Sequence, residues 1–422
     1  MSHSPSPQGE SVDPAGGGVD KVPVALRGLR AFTPAPLPVD VTLSTRAHAD
    51  LASAALAVGR ADEAAQRTPD RARFALCSQF REVQRSARMS GEGRSLLETF
   101  LIRLLMRRGA KVADESAREV LARYPLGRFI LASEHCGRVL AGTPGVSLDV
   151  DLLGQGSGIL TGRGHRSGSE GLRTRHGWLG GPDEARAHVL TMAPGEPLRA
   201  ALAELSDWMT RPHPLSALGR IALVHLQLEL LQPYPEANGH LARLFTSLAM
   251  VDSGMLRDQV LPLSPWMATH SDEYHLRIKA IVEGGAVEEW IRFFARGVRE
   301  QAEEQLRLIA ALEELLTRML AKAEGAPATR RVVSPSTRRV VSGLITEPVM
   351  TNRALETRYG FSNRTAGEIT RRLLSTGVLR VVQEKSWNRV FVCDEVLDLY
   401  TLRTPLEPAS DADLFEPRPD ER

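Results

Sequence analysis

The stretch Leu231-Gln-Pro-Tyr-Pro-Glu-Ala-Asn-Gly-His-Leu-Ala-Arg-Leu-Phe245 decides the fold of this chain. Apolar residues recur at helical spacing before it, over 221–231, and inside and after it, over 241–248. The turn formers between these runs predict a helix, a tight loop and the start of a second helix. Such a loop aims several backbone N–H groups at one place, beside the positive end of a helix dipole. The stretch therefore predicts an anion site, and phosphate is the expected anion.

The same residues resemble the signature of the Fic (Fido) family, which reads His-Pro-Phe-x-Asp/Glu-Gly-Asn-Gly-Arg-x-x-Arg. Pro233, Asn238, Gly239 and Arg243 match it, and Glu236 supplies its acid. In the family, the motif His removes a proton from a Ser, Thr or Tyr hydroxyl of a protein. That hydroxyl then attacks the α-phosphate of ATP, and AMP is transferred. The resemblance thus implies a protein adenylyltransferase scaffold.

Four positions depart from the signature. Tyr234 replaces Phe, Ala237 replaces the first Gly, His240 replaces the first Arg, and Gln232 replaces the catalytic His. Gln232 can position a hydroxyl but cannot take its proton, and a lost general base costs about 10²–10⁴-fold in rate. His240 is expected to be mostly neutral at pH 7 and offers no bidentate fork to a phosphate. We therefore expect impaired catalysis.

The resemblance also implies a nucleotide cleft that takes ATP and Mg²⁺. Gln232 stands at the position of the catalytic base, and Glu236 would hold the metal. The nucleotide-binding residues that it implies are Ala237, Asn238, Gly239, His240, Arg243 and Tyr274. For Tyr274, stacking on a base and a place in the core are both open. His225 and Glu229, in the helix that enters the motif, are interpreted as scaffold.

The segment 80–93 resembles the inhibitory segment that precedes many Fic domains, Ser/Thr-x-x-x-Glu-Gly, whose Glu pairs with the second motif Arg. Aligning Ser86 with the family Ser places Ser90 at the glutamate position. The register that uses Glu92 as the inhibitor puts Arg88 where Ser/Thr belongs. A helix that simply ends at the following glycines fits the sequence as well.

The run Gly171-Leu-Arg-Thr-Arg-His-Gly-Trp-Leu-Gly-Gly181 resembles the flap segment of the family. The resemblance implies a β-hairpin that pairs with the backbone of a protein target, with 187–191 as its second arm. The flap residues would be Arg173, Gly180 and Gly181. Just upstream, the stretch 148–162 is rich in glycine and is expected to form a loop.

The C-terminal part changes character after a linker at 325–329. A helix, a helix-turn-helix and a β-hairpin follow in the order of a winged helix, which resembles the C-terminal domain common in Fic proteins of this layout. Its arginines would contact DNA phosphates first. A winged helix used for dimerisation or protein contact is the alternative. The predicted DNA-binding residues are Asn363, Arg364, Thr365, Arg371, Arg372, Lys385 and Arg389.

We therefore predict a mainly α protein: a Fic/Fido helical domain with a small β-hairpin flap, followed by a C-terminal winged helix-turn-helix domain. The predicted divisions are a disordered N-terminal segment (1–39), an N-terminal helical region with the inhibitory-helix position (40–110), the Fic domain (111–322), the winged helix-turn-helix domain (330–403) and a disordered tail (404–422). The long helix that starts at Val287 offers a face for homodimerisation.

The amino-acid composition says little about which class of molecule the chain binds. The net charge of +2, from 53 basic and 51 acidic residues, favours no partner class. Cys77, Cys136 and Cys393 have no metal-binding spacing, which is typical of reduced, buried thiols. The sequence shows no signal peptide and no apolar run of membrane-spanning length, so we expect a cytoplasmic protein without a membrane partner.

Two functional hypotheses follow. In the first, the chain is a Fic-fold protein that has lost efficient AMP transfer and binds a nucleotide or a partner, including as a DNA-binding transcription regulator with a vestigial Fic cleft. In the second, it is an active transferase with altered chemistry, in which Gln232 positions the target hydroxyl and Glu236 with Mg²⁺ balances the charge.

Overall fold

The computed structural model of the chain describes residues 10–12, 26, 28–68, 70–89, 100, 125–143, 145–164, 171–180, 187–325, 332–383 and 389–401, and it is mainly α-helical, as predicted. Its helices are α1 (Thr45–Gln66), α2 (Arg71–Met89), α3 (Pro125–Gly142), α4 (Val150–Leu160), α5 (Glu196–Thr210), α6 (Ala217–Leu231), α7 (Asn238–Asp252), α8 (Ser264–Thr269), α9 (Ser271–Val282), α10 (Val287–Glu324), α11 (Pro335–Leu344), α12 (Asn352–Tyr359), α13 (Asn363–Ser375) and α14 (Asp394–Thr401). Its strands are β1 (Glu10–Val12), β2 (Ala31–Thr33), β3 (Trp178–Leu179), β4 (Val189–Thr191), β5 (Val349–Met350), β6 (Arg380–Gln383) and β7 (Val390–Val392).

Side-chain caps fix where several helices begin. The hydroxyl of Ser44 accepts from the backbone N–H of Ala47 at the start of α1. Ser216 caps α6 and Ser362 caps α13 in the same way, each through the N–H three residues later. Each cap satisfies one of the backbone donors that a helix start leaves without a partner.

Two core helices carry the central loop. Helix α6 is buried on every face from Ile221 to Leu231, and α7 is buried at every position from Leu241 to Met250. The loop between them is consequently held at both ends by packed helices rather than by surface segments. Around this pair, α1 packs along α10, and α2 contacts α8, α3 and α7.

The prediction of a loop over 148–162 is wrong, because residues 150–160 form α4. Asp149 caps the helix by accepting from the N–H of Leu152. A Cβ at Gly156 would lie 3.2 Å from Cys136 Sγ and 3.4 Å from a Leu244 methyl group. The glycines therefore permit close packing of α4 against α3 and α7, a use of glycine that its loop propensity hides.

The predicted flap hairpin belongs to a larger sheet. Strands β3 and β4 pair antiparallel, with Trp178 opposite Leu190. Strand β2 pairs parallel to β4, β1 pairs antiparallel to β2, and the sheet order is β1-β2-β4-β3. The prediction that residues 1–39 are disordered is thus wrong for Ala31–Thr33, because Phe32 is buried and provides the apolar contact that orders the strand.

The C-terminal unit begins at α11 and continues through β5, α12, α13, β6, β7 and α14. Its three strands form an antiparallel sheet in the order β5-β7-β6, with Val349 opposite Val392. Gly360 separates α12 from α13 with φ +71°, a left-handed conformation that glycine adopts without steric cost. The order of elements is the helix, helix-turn-helix and hairpin order predicted from the sequence.

The described residues contain no helix that is long and apolar enough to cross a membrane. Cys77, Cys136 and Cys393 are free thiols, and all three are buried. Burial raises the pKa of the Cys136 and Cys393 thiols to about 12, which makes both poor nucleophiles.

Candidate functional site

The loop between α6 and α7 has a strained backbone. Gln232 ends α6 with φ +39°, and Ala237 precedes α7 with φ +62°. These are the non-glycine residues with positive φ in the part of the chain that the structure describes. A left-handed conformation costs a residue with a Cβ roughly 1–2 kcal/mol, so packing and hydrogen bonds must hold both in place.

Asn238 closes this loop. Its Oδ1 accepts from the backbone N–H of Tyr234 at 2.9 Å, and its Nδ2 donates to the carbonyl oxygen of Tyr234 at 2.7 Å. The paired bonds fix the three residues between Tyr234 and the start of α7 in one shape. The first N–H groups of a helix, here those of Asn238 and Gly239, find no acceptors inside the helix itself, and such groups can bind an anion.

Arg173 clamps the flap to the loop. Its side chain is buried, and burial lowers the pKa of the guanidinium to about 10. No carboxylate of a described residue pairs with it. Instead it donates to four backbone carbonyl oxygens, those of Gln232 (2.8 Å), Met192 (2.8 Å), Arg175 (3.0 Å) and Leu231 (3.3 Å). The positive charge thereby satisfies carbonyl groups at the C-terminal end of α6.

Gln232 lies beneath the flap. A Cβ at Gly177 would lie 3.5 Å from Gln232 Oε1 and 3.5 Å from the Thr191 side chain, so Gly177 lies at ordinary contact distance from the amide. Gly177 is itself fixed, because its N–H donates to Thr191 Oγ1 at 2.9 Å and its carbonyl oxygen accepts from the Thr191 N–H at 3.0 Å. The predicted positions of the base and of the flap are therefore adjacent.

Arg243 is the buried cation of the site. Its guanidinium folds back toward the start of α7, where a Cβ at Gly239 would lie 3.0 Å from Nη1 and 3.2 Å from Nη2. Its Nε donates to Ser86 Oγ at 2.7 Å, and its Nη2 lies 3.5 Å from the Ser86 carbonyl oxygen. Across the described ranges no carboxylate forms an ion pair with Arg243. A Cβ at position 239 would force the Arg243 guanidinium to shift by a few tenths of an ångström.

His240 shares the same serine. Ser86 Oγ lies 2.7 Å from His240 Nδ1, and since Arg243 donates to that oxygen, the Ser86 hydroxyl is left to donate to the ring. Burial, and then the charge of Arg243, lowers the pKa of His240 to about 3. The edge of its ring contacts Phe129, with ring centroids 6.2 Å apart. His240 is accordingly neutral at pH 7.

Glu236 lies at the outer side of the loop and is exposed. Its Oε1 accepts from Arg163 Nη2 at 3.0 Å, with 58% of the Glu236 side chain and 43% of the Arg163 side chain exposed. A single carboxylate suits a hard cation that takes its other ligands from phosphate oxygens and water, as Mg²⁺ does. Among the described residues no group of three His, Cys, Asp or Glu side chains is placed to hold a metal.

Tyr274 lies away from the loop. It is 2% exposed, and its hydroxyl lies 2.9 Å from His225 Nε2. His225 Nδ1 lies 2.8 Å from Thr246 Oγ1, and its ring stacks on Trp290 with centroids 6.0 Å apart. The prediction that Tyr274 binds the nucleotide is therefore not supported, because its ring is packed in the core behind α6.

The structure brings together Ser86, Gly239, His240 and Arg243 at the start of α7, which Asn238 begins. Gln232 lies at the other end of the loop, against the flap and Arg173. Gly180 follows β3 with φ +124°. Four further predicted residues, Ser90, Glu92, Gly181 and Lys385, lie outside the described residues. The pairing of Arg163 with Glu236 was not predicted, because these residues are 73 positions apart and no motif links them.

The predicted DNA-binding residues fall into two groups. Asn363, Arg364 and Arg371 on α13 are exposed, and so is Arg389 before β7. Arg364 Nε donates to Glu368 one turn further on, at 3.0 Å. These exposed side chains are the group that a nucleic acid would meet first.

The remaining two predicted side chains are more enclosed. Thr365 is half-buried, and its hydroxyl lies 2.9 Å from that of Ser362. Arg372 Nε donates to the Ala323 carbonyl oxygen at 2.7 Å and so caps the C-terminal end of α10. A groove of about 730 Å³ separates α13 from this end of α10, and both Arg371 and Arg372 line it. The prediction that Arg372 contacts DNA is not supported, since the side chain is already engaged.

Comparison with known proteins gives a structural likeness. No protein-family model matches the sequence. The chain is similar in structure to a Fic family protein from Desulfovibrio desulfuricans G20, with a TM-score of 0.49 and 15% sequence identity. The similarity covers 85% of this chain and 98% of that one. This likeness concerns the overall arrangement of the helices and assigns no role to any residue.

Proposed function

We propose that this chain binds the phosphate groups of a nucleotide at the loop between α6 and α7. The observation that carries the proposal is Arg243, a buried guanidinium that faces a serine hydroxyl and is paired with no carboxylate among the described residues. A buried charge without an opposite charge is costly. An anion beside Gly239, at the start of α7, would supply that charge and accept from the backbone N–H groups.

The same residues argue against efficient AMP transfer. Gln232 lies under the flap where a target hydroxyl would approach, and its amide can hold that hydroxyl but cannot accept its proton. His240 is a poor substitute, because its lowered pKa of about 3 leaves it a weak base. We therefore propose a binding or regulatory role rather than that of an effective adenylyltransferase.

Glu236 would hold Mg²⁺ together with the phosphates, after releasing Arg163. A bound Mg²⁺ would neutralise part of the phosphate charge. The exposed ion pair costs little to break, because pairs of this kind contribute about 0–1 kcal/mol. Arg163 would then be available to the outer phosphate oxygens.

Calorimetric titration of the full chain with ADP, with and without Mg²⁺, tests this proposal. We expect saturable binding that Arg243→Ala reduces at least tenfold. Arg211→Ala is a control, because it removes an exposed arginine that pairs with Asp207 on α5. Absence of ADP binding to the wild type, or equal binding by Arg243→Ala, would contradict the proposed site.

DNA binding by the C-terminal unit is the second candidate function. The exposed Asn363, Arg364 and Arg371 on α13 favour it, because arginine and amide side chains are the groups that contact phosphates and base edges. Titration of a labelled duplex at two salt concentrations tests it. DNA binding should weaken as salt rises, since released counterions drive such contacts.

A further inference from the structure

Helix α2 links the anion site to the C-terminal unit. Its last turn carries Ser86, which contacts both His240 and Arg243. Its first half contacts the C-terminal unit at Arg73 and Cys77. Because a helix rises 1.5 Å per residue, the two sets of contacts, at Arg73 and at Ser86, are about 20 Å apart along one rigid element.

The contacts at the C-terminal unit are polar and largely buried. Glu347, which is 7% exposed, accepts from Arg73 Nη1 at 3.1 Å and also pairs with Arg358. Cys77 Sγ donates to the carbonyl oxygen of Thr346 at 3.1 Å. These bonds join α2 to the turn that leads from α11 into β5, at the base of the helix-turn-helix.

A third contact reaches the last helix of the unit. Arg85 Nη2 donates to the carbonyl oxygen of Thr401, at the end of α14, at 3.0 Å. Arg85 precedes Ser86 in the chain, so the same turn of α2 contacts the anion site and the C-terminal unit. A shift of this turn would change both contacts.

The middle of α2 is fixed as well. The buried Arg81 donates to Gln305 Oε1 and Glu304 Oε1 of α10, each at 2.9 Å. The carboxylate of Glu82 accepts from Ser264 at the start of α8, and burial raises the pKa of Glu82. Because these bonds hold the middle of α2, a perturbation at one end of the helix can move the other end only slightly. It can still weaken the hydrogen bonds there.

An anion at Arg243 would be such a perturbation. An anion bound at Nε and Nη2 would compete with Ser86 Oγ for the guanidinium, and it would lie close to the Ser86 carbonyl oxygen, which is 3.5 Å from Arg243 Nη2. An oxygen anion and a carbonyl oxygen repel each other. Rotation of the Ser86 side chain would not relieve this repulsion, because the carbonyl belongs to the helix backbone. A shift of the last turn of α2 would relieve the repulsion from an anion bound on this side of the guanidinium.

We propose that α2 transmits occupancy of the anion site to the C-terminal unit, so that a phosphate-bearing ligand loosens the contacts of α2 with Glu347, Thr346 and Thr401. That a phosphate-bearing ligand binds here rests on the proposed function, whereas the coupling of the two regions through α2 does not. By thermodynamic reciprocity, a change at the C-terminal contacts also alters the anion site. Coupling of ordinary strength changes an equilibrium by about fivefold or more.

Hydrogen exchange measured by mass spectrometry on the full chain tests the link without any ligand. Arg243→Met removes the contact with Ser86, and we expect exchange in peptides that span 345–359 to speed up about fivefold or more. Thr246→Val is the matched control on α7, because its buried hydroxyl bonds His225 and does not contact α2. Exchange at 345–359 that is unchanged in Arg243→Met would overturn the proposal.

A second variant, changed at the C-terminal unit and measured at the anion site, tests the link even if Arg243→Met does not fold. Glu347→Gln weakens the pairs with Arg73 and Arg358, and we expect faster exchange in peptides that span 238–246. Lys322→Met is its control, because Lys322 ties α10 to Glu395 of the same unit without using α2. Equal effects of Glu347→Gln and Lys322→Met on 238–246, or no effect of Glu347→Gln, would overturn the proposal.

A third arm adds ADP as the probe. If ADP binds, we expect it to speed exchange at 345–359 in the wild type and to do so at least fivefold less in Glu347→Gln. Binding that leaves 345–359 unchanged would refute the link. If ADP does not bind, the proposed function fails, while the two ligand-free arms still decide whether α2 couples the two regions.

Discussion

Replacing Ser86 with alanine should strengthen nucleotide binding while weakening the fold. In the structure, the Ser86 hydroxyl accepts from Arg243 Nε and lies against His240 Nδ1, each at 2.7 Å. An anion that binds Arg243 through Nε must displace this hydroxyl. The serine is therefore a competitor of the ligand, and its removal eliminates the competition.

The magnitude follows from the kind of bond. A hydrogen bond to a charged group contributes about 1.5–3 kcal/mol. Losing it should lower the free energy of unfolding by about this amount, because Arg243 is then buried with one donor fewer satisfied. Since 1.4 kcal/mol corresponds to a factor of ten in affinity, the lower limit of the range predicts that ADP binds Ser86→Ala about tenfold more tightly.

Calorimetry with ADP gives the affinity, and urea denaturation gives the stability. Ser78→Ala is the matched control, because Ser78 is a buried serine on the same helix whose hydroxyl accepts from Gln305 Nε2 at 3.1 Å. It should lose stability without any gain in affinity. Unchanged or weaker ADP binding by Ser86→Ala would refute the reasoning that Ser86 and the ligand compete for Arg243.

Four further changes have expected outcomes. Gln232→His restores a base beneath the flap and should raise AMP transfer from labelled ATP by about 10²–10⁴-fold if the cleft is complete. Between pH 6.5 and 3, the unfolded chain protonates His240 and the folded chain does not, so His240 should lower the stability by up to about 1.4 kcal/mol per pH unit as the pH falls. His240→Gln should remove this share and leave that of His225, so the urea midpoint should fall less steeply with falling pH than in the wild type. Ala237→Gly relieves a positive φ and should stabilise the chain by about 1 kcal/mol in urea denaturation. In duplex titrations, Arg364→Ala should weaken DNA binding more than Arg372→Ala, whose side chain caps α10.

The sequence predicted the helix–loop–helix at 231–245 because that pattern is local. Apolar spacing and turn formers within a few residues specify the two helices and the turn between them. Ser86 was placed beside the motif by its resemblance alone, and the structure adds what it contacts. The bond to His240 was not predicted, because the resemblance concerned a glutamate that pairs with arginine.

The sequence could not predict interactions that depend on backbone atoms far away along the chain. Arg173 was predicted as a flap residue, but its four acceptors are carbonyl oxygens, which every residue carries and no side-chain pattern reveals. The glycines of α4 were interpreted as loop formers, since only the packed structure shows that Gly156 lies against Cys136. Tyr274 had two open interpretations, and its burial favours the core.

The strand β2 has a consequence for how the chain can be shortened. A truncated version that started at Asp40, the predicted domain boundary, would lose Phe32, whose burial contributes about 1.5–3 kcal/mol. It would also lose the carbonyl oxygens of Ala35 and Pro38, which accept hydrogen bonds from the side chains of Gln227 and Trp208. Above all, the hydrogen-bonding edge of β4 would open to solvent, and an open strand edge recruits other chains. We therefore expect a version that starts at Asp40 to self-associate through β4, so the segment before α1 should be kept in any shortened version intended for crystallisation or binding assays.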